Sequence, residues 1–440
     1  MLVNQSNMSN RRNFLHQLAT LGIGSAVLPW LPDKASREML AKHVRKLEQV
    51  SAAHAATDEE FWNLIQLAFR QSSQFLNLEN GYFSPQPTRV LEAQEEYIRR
   101  INETPAFYMR TQMETDREEA RARLAGLAGC SPEEIAITRN TTESLDTIIA
   151  GIDFEPGQEA IMSNQDYGSM VEAFHQQKRR RGLVCNIIDL PMHPANDSEI
   201  VERYEQAITD RTRIMLVTHL INITGQVLPV KKIADMARSR GVEVIVDGAH
   251  SFAQLEFNIP DLGCDYFGAS LHKWLCCPLG AGILYVRKDR IKNVWPLFGD
   301  VSKSADDIRK FEHYGTHPAA TTIAISDAIR FHELIGPTRK QDRLRYLKAY
   351  WTSKIKDIPG VRLNTPEAPN RSSAIANIAI EGLTPHQLAG RLYDEFRIYT
   401  VAIDHPVVKG VRITPHLYTR LTDLEKLVEA IRQIAESRPG

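Results

Sequence analysis

Two residues in this sequence have the type and placement to do covalent chemistry together. Lys273 follows the apolar run Asp265-Tyr-Phe-Gly-Ala-Ser270-Leu-His272 and precedes Trp274. Asp247 closes another such run, in Val244-Ile-Val-Asp247-Gly-Ala-His250-Ser251. An amine near the end of one buried strand and a carboxylate at the end of another suit a cofactor with an aldehyde and a pyridine ring. The amine can form a Schiff base, and the carboxylate can keep the ring nitrogen protonated. Pyridoxal 5'-phosphate (PLP) is that cofactor. Either motif alone would read as a solvated strand end or a turn. Together they carry weight, because open α/β sheets build their ligand crevices at the C-terminal ends of strands.

A third segment supplies what such a cofactor's phosphate needs. Thr138-Arg139-Asn140-Thr141-Thr142-Glu143-Ser144 closes a short apolar run and enters a helix. Backbone N–H groups and hydroxyls at a helix start form an anion site. On its own the segment would be an ordinary cap, with Glu143 complementing the helix dipole.

The elements that must position these residues alternate along the chain. Apolar, β-branched runs predict strands at 135–138, 159–163, 184–190, 213–220, 242–247, 266–270 and 282–286. Helical spacing falls between most of them, near 142–149, 170–180, 200–208 and 230–240. This pattern predicts an α/β fold with a mostly parallel sheet covered on both faces. After Pro318 the sequence turns to long helices and a few short strands, ending in a helix over 423–434. The expected organisation is a leader over 1–32, a polar linker over 33–60, a large domain over 61–317 and a smaller C-terminal α+β domain over 318–440.

Composition narrows the function. At 440 residues, 43% hydrophobic and 24% charged, the chain can bury a large core and a second small one. A net charge of −1 with no extended basic block argues against a nucleic-acid partner. Cys130, Cys185, Cys264, Cys276 and Cys277 are odd in number and show no Cys-x-x-Cys spacing, so neither a zinc site nor a disulfide framework is expected.

The N-terminal stretch is set apart. Asn10-Arg11-Arg12-Asn13-Phe14-Leu15-His16 precedes a mildly apolar run broken by Gly and Pro, too short to span a bilayer stably. It resembles a twin-arginine (Tat) export signal, with Asn10 where Ser or Thr is usual. That resemblance implies recognition by the Tat machinery and a periplasmic or, alternatively, secreted protein, without stable membrane insertion. Ser25-Ala26-Val27 and Ala53-His54-Ala55 are both possible cleavage regions.

From about Phe75 to Arg432 the chain resembles the class V aminotransferase family of PLP enzymes, of fold type I, and within it the isopenicillin N epimerase-like members. The resemblance implies roles residue by residue. Thr141 and Thr142 would hold the phosphate, with Ser270 and His272. Tyr167 would stack on the cofactor ring. Asn222 and His250, the latter where many relatives carry Gln, would face the phenolic oxygen. Asp247 would pair with the pyridinium and Lys273 would carry the cofactor. Thr316, in Gly315-Thr316, would reach the phosphate of a partner subunit, implying a homodimer. Arg412 would bind a substrate α-carboxylate through its bidentate fork.

The expected reaction starts at Cα of an amino acid or an amino-acid-bearing metabolite, and an aminotransferase is the first expectation. Epimerase and lyase outcomes share the same opening step. Cysteine desulfurases of the family use a nucleophilic cysteine late in the chain, and none follows Cys277. Two readings lie outside this class. His219, His250 and His272 with Asp247 could form the metal site of a hydrolase, or the fold could serve as an inactive binding module.

Overall fold

The computed structural model describes residues 30–437 except 32, 48, 49 and 301. Its centre is a seven-stranded sheet. In chain order the strands are β1 (Ile135–Thr138), β2 (Glu159–Ser163), β3 (Val184–Ile188), β4 (Thr212–Thr218), β5 (Glu243–Asp247), β6 (Tyr266–Ser270) and β7 (Gly282–Val286). They lie in the order β1-β7-β6-β5-β4-β2-β3. Neighbours from β6 to β3 run parallel, and β7 is antiparallel to both β1 and β6. Four of the seven predicted strands coincide with the observed ones, and the other three differ only at their ends.

The sheet is buried on both faces because successive residues feed opposite cores. Val244 and Val246 pack on one side with Phe267 and Ala269, while Ile245 packs on the other with Tyr266 and Leu216. Helices Thr141–Gly151, Gly168–Arg181, Asp197–Gln206 and Val230–Ser239 connect the strands. In register, Thr218 of β4 faces Asp247 of β5, and Asp247 faces Gly268 of β6. Asp247 therefore ends its strand beside the point where β6 runs on through Ser270 to Lys273.

The C-terminal part carries a four-stranded antiparallel sheet: β8 (Val361–Leu363), β9 (Ala376–Ile380), β10 (Val401–Asp404) and β11 (Lys409–Ile413), ordered β10-β11-β9-β8. Its own core joins Leu347, Trp351, Ile378, Val411 and Leu427. Helix Ala319–Ile335 instead sends Ile325, Ala328 and Phe331 into the core of the large sheet. The handover falls inside the next helix, Pro337–Ile355, where Leu344 belongs to the first core and Leu347 to the second.

Near the N-terminus, helix Lys34–Leu47 buries Leu40, Val44 and Leu47 against the large core, so the expected linker has a packed face. Arg11 and Arg12 lie outside the described residues. Trp30 is buried against Phe331, with ring centroids 5.1 Å apart. Among the described residues, no helix is long and apolar enough to cross a membrane.

Candidate active site

Lys273 and Asp247 open into one cavity at the C-terminal ends of β5 and β6. Its volume is about 210 Å³, several times the roughly 30 Å³ share of one water. Burial brings the Lys273 ammonium down to about 8; Asp247 opposes that shift and Arg412 adds to it. Roughly a tenth of the amine is therefore neutral at pH 7, far more than for an ordinary lysine, as a nucleophile or proton carrier requires. Burial pushes the Asp247 carboxyl up, against the Ala249 N–H donated to Oδ1 at 2.9 Å and the charge of Lys273. A cationic ring nitrogen beside this carboxylate would favour its ionised form.

His250 adjoins the lysine, with Nε2 3.3 Å from Lys273 Nζ. On its other side, Trp274 Nε1–H donates to His250 Nδ1 at 3.3 Å. An indole nitrogen can only donate, so Nδ1 is the acceptor and Nε2 carries the proton of the neutral ring. Burial, with Lys273 and Arg412 nearby, holds His250 well below the usual histidine range, which keeps the ring neutral. Trp274 is itself fixed: it is fully buried, stacked on His416 with centroids 5.3 Å apart and 13° between planes, and its carbonyl accepts from the buried Lys340.

Another part of the cavity wall, around Asn140, Thr141, Thr142 and Ser270, suits an anion. Asn140 caps helix Thr141–Gly151 by accepting from Glu143 N–H at 2.9 Å. Ser270 Oγ accepts from Thr141 N–H at 2.9 Å and lies 2.8 Å from Thr141 Oγ1, tying the helix start to the end of β6. The Thr141 and Glu143 N–H groups are thus taken, while Thr142, also in the cavity wall, sits in the first turn, where N–H groups have no intrahelical acceptor and the helix dipole is positive. The acid in that turn is turned away: Glu143 accepts from Arg139 at 2.7 Å. His272 also lines the cavity, stacked on Phe83 at 5.8 Å, and among the described residues its buried Nδ1 has no hydrogen-bond partner. That unmatched polar atom, the helix start and the Ser270 and Thr141 hydroxyls fit a phosphate, while Lys273, Asp247 and His250 fit a pyridoxal ring.

The remaining expected residues divide. Tyr167 and Asn222 line the same cavity, and Tyr167 is half-exposed at its wall. Arg412 does not line it: the guanidinium is buried, paired with Glu79 and covered by the ring of Tyr82, a residue that does line the cavity. Thr316 lies on the surface outside the cavity. Sequence reasoning missed Trp274 as a partner of His250, and it missed Glu79, Tyr82 and Phe83 altogether. The last three come from Leu78-Glu-Asn-Gly-Tyr-Phe-Ser84, whose Asn-Gly pair reads only as a turn. Another omission is Asp166, buried behind Tyr167, which accepts from Thr218 Oγ1 at 2.7 Å and is pushed up to about 6 by burial. Among the described residues, the ligating atoms of His219, His250, His272 and Asp247 do not gather around one point.

A sequence profile of the aminotransferase class-V family matches residues 78–426, which takes in the whole cavity wall. The chain belongs to this family. Its cofactor is PLP, held by a fold type I domain. An isopenicillin N epimerase of Amycolatopsis lactamdurans is 30% identical over 379 residues, covering 82% of this chain and 95% of that protein. A probable cysteine desulfurase of Halalkalibacterium halodurans is 28% identical, over 83% and 94%. Among solved structures, the cysteine desulfurase CsdA from Escherichia coli superposes with a TM-score of 0.76 at 21% identity, over 86% of this chain and 99% of that one. A C-DES mutant with glycine covalently linked to its PLP cofactor gives a TM-score of 0.76 at 20% identity, over 82% and 97%. At that identity the two structures speak to the fold alone.

Proposed function

We propose that this class V enzyme removes a proton from Cα of an amino acid or amino-acid-bearing metabolite, with Lys273 as the proton carrier, and acts as an aminotransferase. The observation that carries the reading is one buried amine, Lys273, sharing a cavity and an electrostatic interaction with Asp247 and sharing that cavity's wall with the Thr141–Thr142 helix start. Bound PLP supplies an electron-withdrawing ring joined to the substrate amine. The chain's own groups do the rest. Asp247 holds the ring-nitrogen proton. His250 offers Nε2–H to an oxygen beside Lys273. Lys273 Nζ accepts the Cα proton and can return it to a neighbouring carbon. Among the described residues, Lys273 is the one lysine in the cavity wall, and return by the same amine to the cofactor side gives transamination.

Epimerisation is the second reading, favoured by the 30% identity to an isopenicillin N epimerase. Desulfuration by a late cysteine has no support. Cys276 and Cys277 are buried, and burial pushes the Cys276 thiol up to about 11. A homodimer and periplasmic placement belong to the proposal. Thr316 on the surface and exposed Trp295, Leu297 and Phe298 support the first; Arg11-Arg12 supports the second.

Amines added one at a time to PLP-loaded protein, followed by visible absorption and product analysis, test the reading. Stoichiometric conversion of cofactor to its amine form by one donor, restored by a keto acid, is the expected result. Inversion at Cα without that conversion would replace transamination by epimerisation. Absence of a PLP absorption change with every amine would end the enzyme reading and favour a binding module.

A further inference from the structure

The family resemblance assigns Arg412 the reading of a substrate carboxylate, yet its guanidinium is already engaged on several sides. Nη2 donates to Glu79 Oε1 at 2.8 Å and Nε to Glu79 Oε2 at 3.3 Å. Nη1 donates to the Asn222 carbonyl at 3.3 Å. The Tyr82 ring lies over the guanidinium, with its centroid 4.6 Å from Cζ, and Tyr82, unlike Arg412, lines the cavity. Gly81 passes so close that a Cβ there would stand 2.7 Å from Cζ. The side chains of Arg412 and Glu79 are only 0% and 5% exposed.

This clasp is tied into the fold. Asn80 donates from its backbone N–H to Thr414 Oγ1 at 2.6 Å and from Nδ2 to the Thr414 carbonyl at 2.7 Å. Tyr418 donates to Asn80 Oδ1 at 2.6 Å, and Ser84 N–H donates to the His272 carbonyl at 3.2 Å. Glu79 Oε1 also accepts from Tyr82 N–H at 2.8 Å. A guanidinium has five N–H donors, and Glu79 and Asn222 together take three. A substrate carboxylate would meet a pair of zero net charge and share what remains with Glu79.

We propose that Glu79 is a specificity-determining residue that neutralises Arg412 from within, so that the site accepts amines with or without a free α-carboxylate. The proposal rests on the reading of Lys273 as the PLP-bearing amine. A carboxylate alone on a desolvated arginine would strongly prefer amino acids, since charge-assisted forks are the strong hydrogen bonds. With Glu79 in place that preference is spent inside the protein.

The test is spectral titration of PLP-loaded protein with L-alanine and with L-alaninamide, compared at equal free-amine concentration. The native protein is expected to prefer alanine by less than about thirtyfold, or about 2 kcal/mol. Glu79→Gln, which keeps the shape and removes the charge, should raise that preference at least about tenfold. Arg412→Gln added to Glu79→Gln should cancel the rise. A native preference above about thirtyfold overturns the proposal whether or not the variant folds, and so does a preference unchanged or lowered by Glu79→Gln. Failure of the underlying cofactor reading looks different: no amine of either kind would move the PLP absorption of the native protein.

Discussion

Trp274→Phe isolates the histidine next to the buried Lys273. Phenylalanine keeps a ring against His416 but removes the indole N–H that His250 Nδ1 accepts at 3.3 Å. Without that donor nothing obliges Nε2 to carry the proton, and the Nδ1–H form would turn a lone pair toward Lys273 and the cofactor oxygen. A neutral hydrogen bond is worth about 1 kcal/mol net, so PLP affinity should fall by roughly fivefold to tenfold. Trp274 is fully buried, and its smaller replacement should also cost stability, on the order of 1–3 kcal/mol. A double-mutant cycle separates the two effects. His250→Gln places an amide donor at the same spot, and an amide needs no tautomer to be set. Equilibrium PLP binding, read by absorbance or quenching, should therefore lose its fivefold to tenfold in the native background and less than about twofold in the His250→Gln background. An equal loss in both, a coupling below roughly 0.5 kcal/mol, would refute tautomer control and leave Trp274 as packing alone.

Other consequences are tested more simply. Lys273→Ala should leave PLP only noncovalently held, so that borohydride no longer fixes it to the protein, and turnover should vanish; normal turnover would remove Lys273 from its role. The rate of PLP loading should climb between pH 7 and 9, with its midpoint at about 8, because burial brings the Lys273 ammonium down to about 8 and only the neutral amine reacts with an aldehyde. A rate flat across that window would contradict the shift. Asp247→Asn should still bind PLP but lose at least about a hundredfold in turnover, on the order of 3 kcal/mol; activity within a few fold of native would show that the ring-nitrogen proton is held otherwise. Replacing Arg11 and Arg12 by Lys should hold the protein in the cytoplasm, and unimpaired export would exclude a twin-arginine route.

Much of this was legible because the informative residues are local to strands. β5 and β6 are short, apolar and β-branched or aromatic, buried on both faces, so the chain could read as nothing else, and Asp247 and Lys273 follow directly from where those runs stop. The segment proposed to hold the phosphate was legible for the same reason, since the Asn140 cap opens one recognisable element and Ser270 closes another. Periodicity failed where an element's partner is distant. Helix Ala319–Ile335 is apolar on most of its surface, and nothing in its own spacing says that it packs on the large sheet and not on the C-terminal one.

The clasp on Arg412 shows the limit most sharply. Its guanidinium is bonded to a carboxylate 333 positions earlier in the chain, in a segment whose sequence signals a turn. A family pattern places the arginine but is silent on what already holds it. A buried arginine with a vacant fork and one with a buried carboxylate on its edge are the same letter in a sequence, yet they differ by one unit of charge at the substrate's position. Lys273 feels that difference as well: Arg412 lowers its proton affinity and Glu79 raises it. Removing the Glu79 charge should therefore move two quantities together, tightening carboxylate binding and shifting the pH at which PLP loads to a lower value. A change in carboxylate preference with the loading profile unmoved would mean that the Glu79 charge reaches the substrate but not the lysine, and the electrostatic link between clasp and cofactor site would have to be dropped.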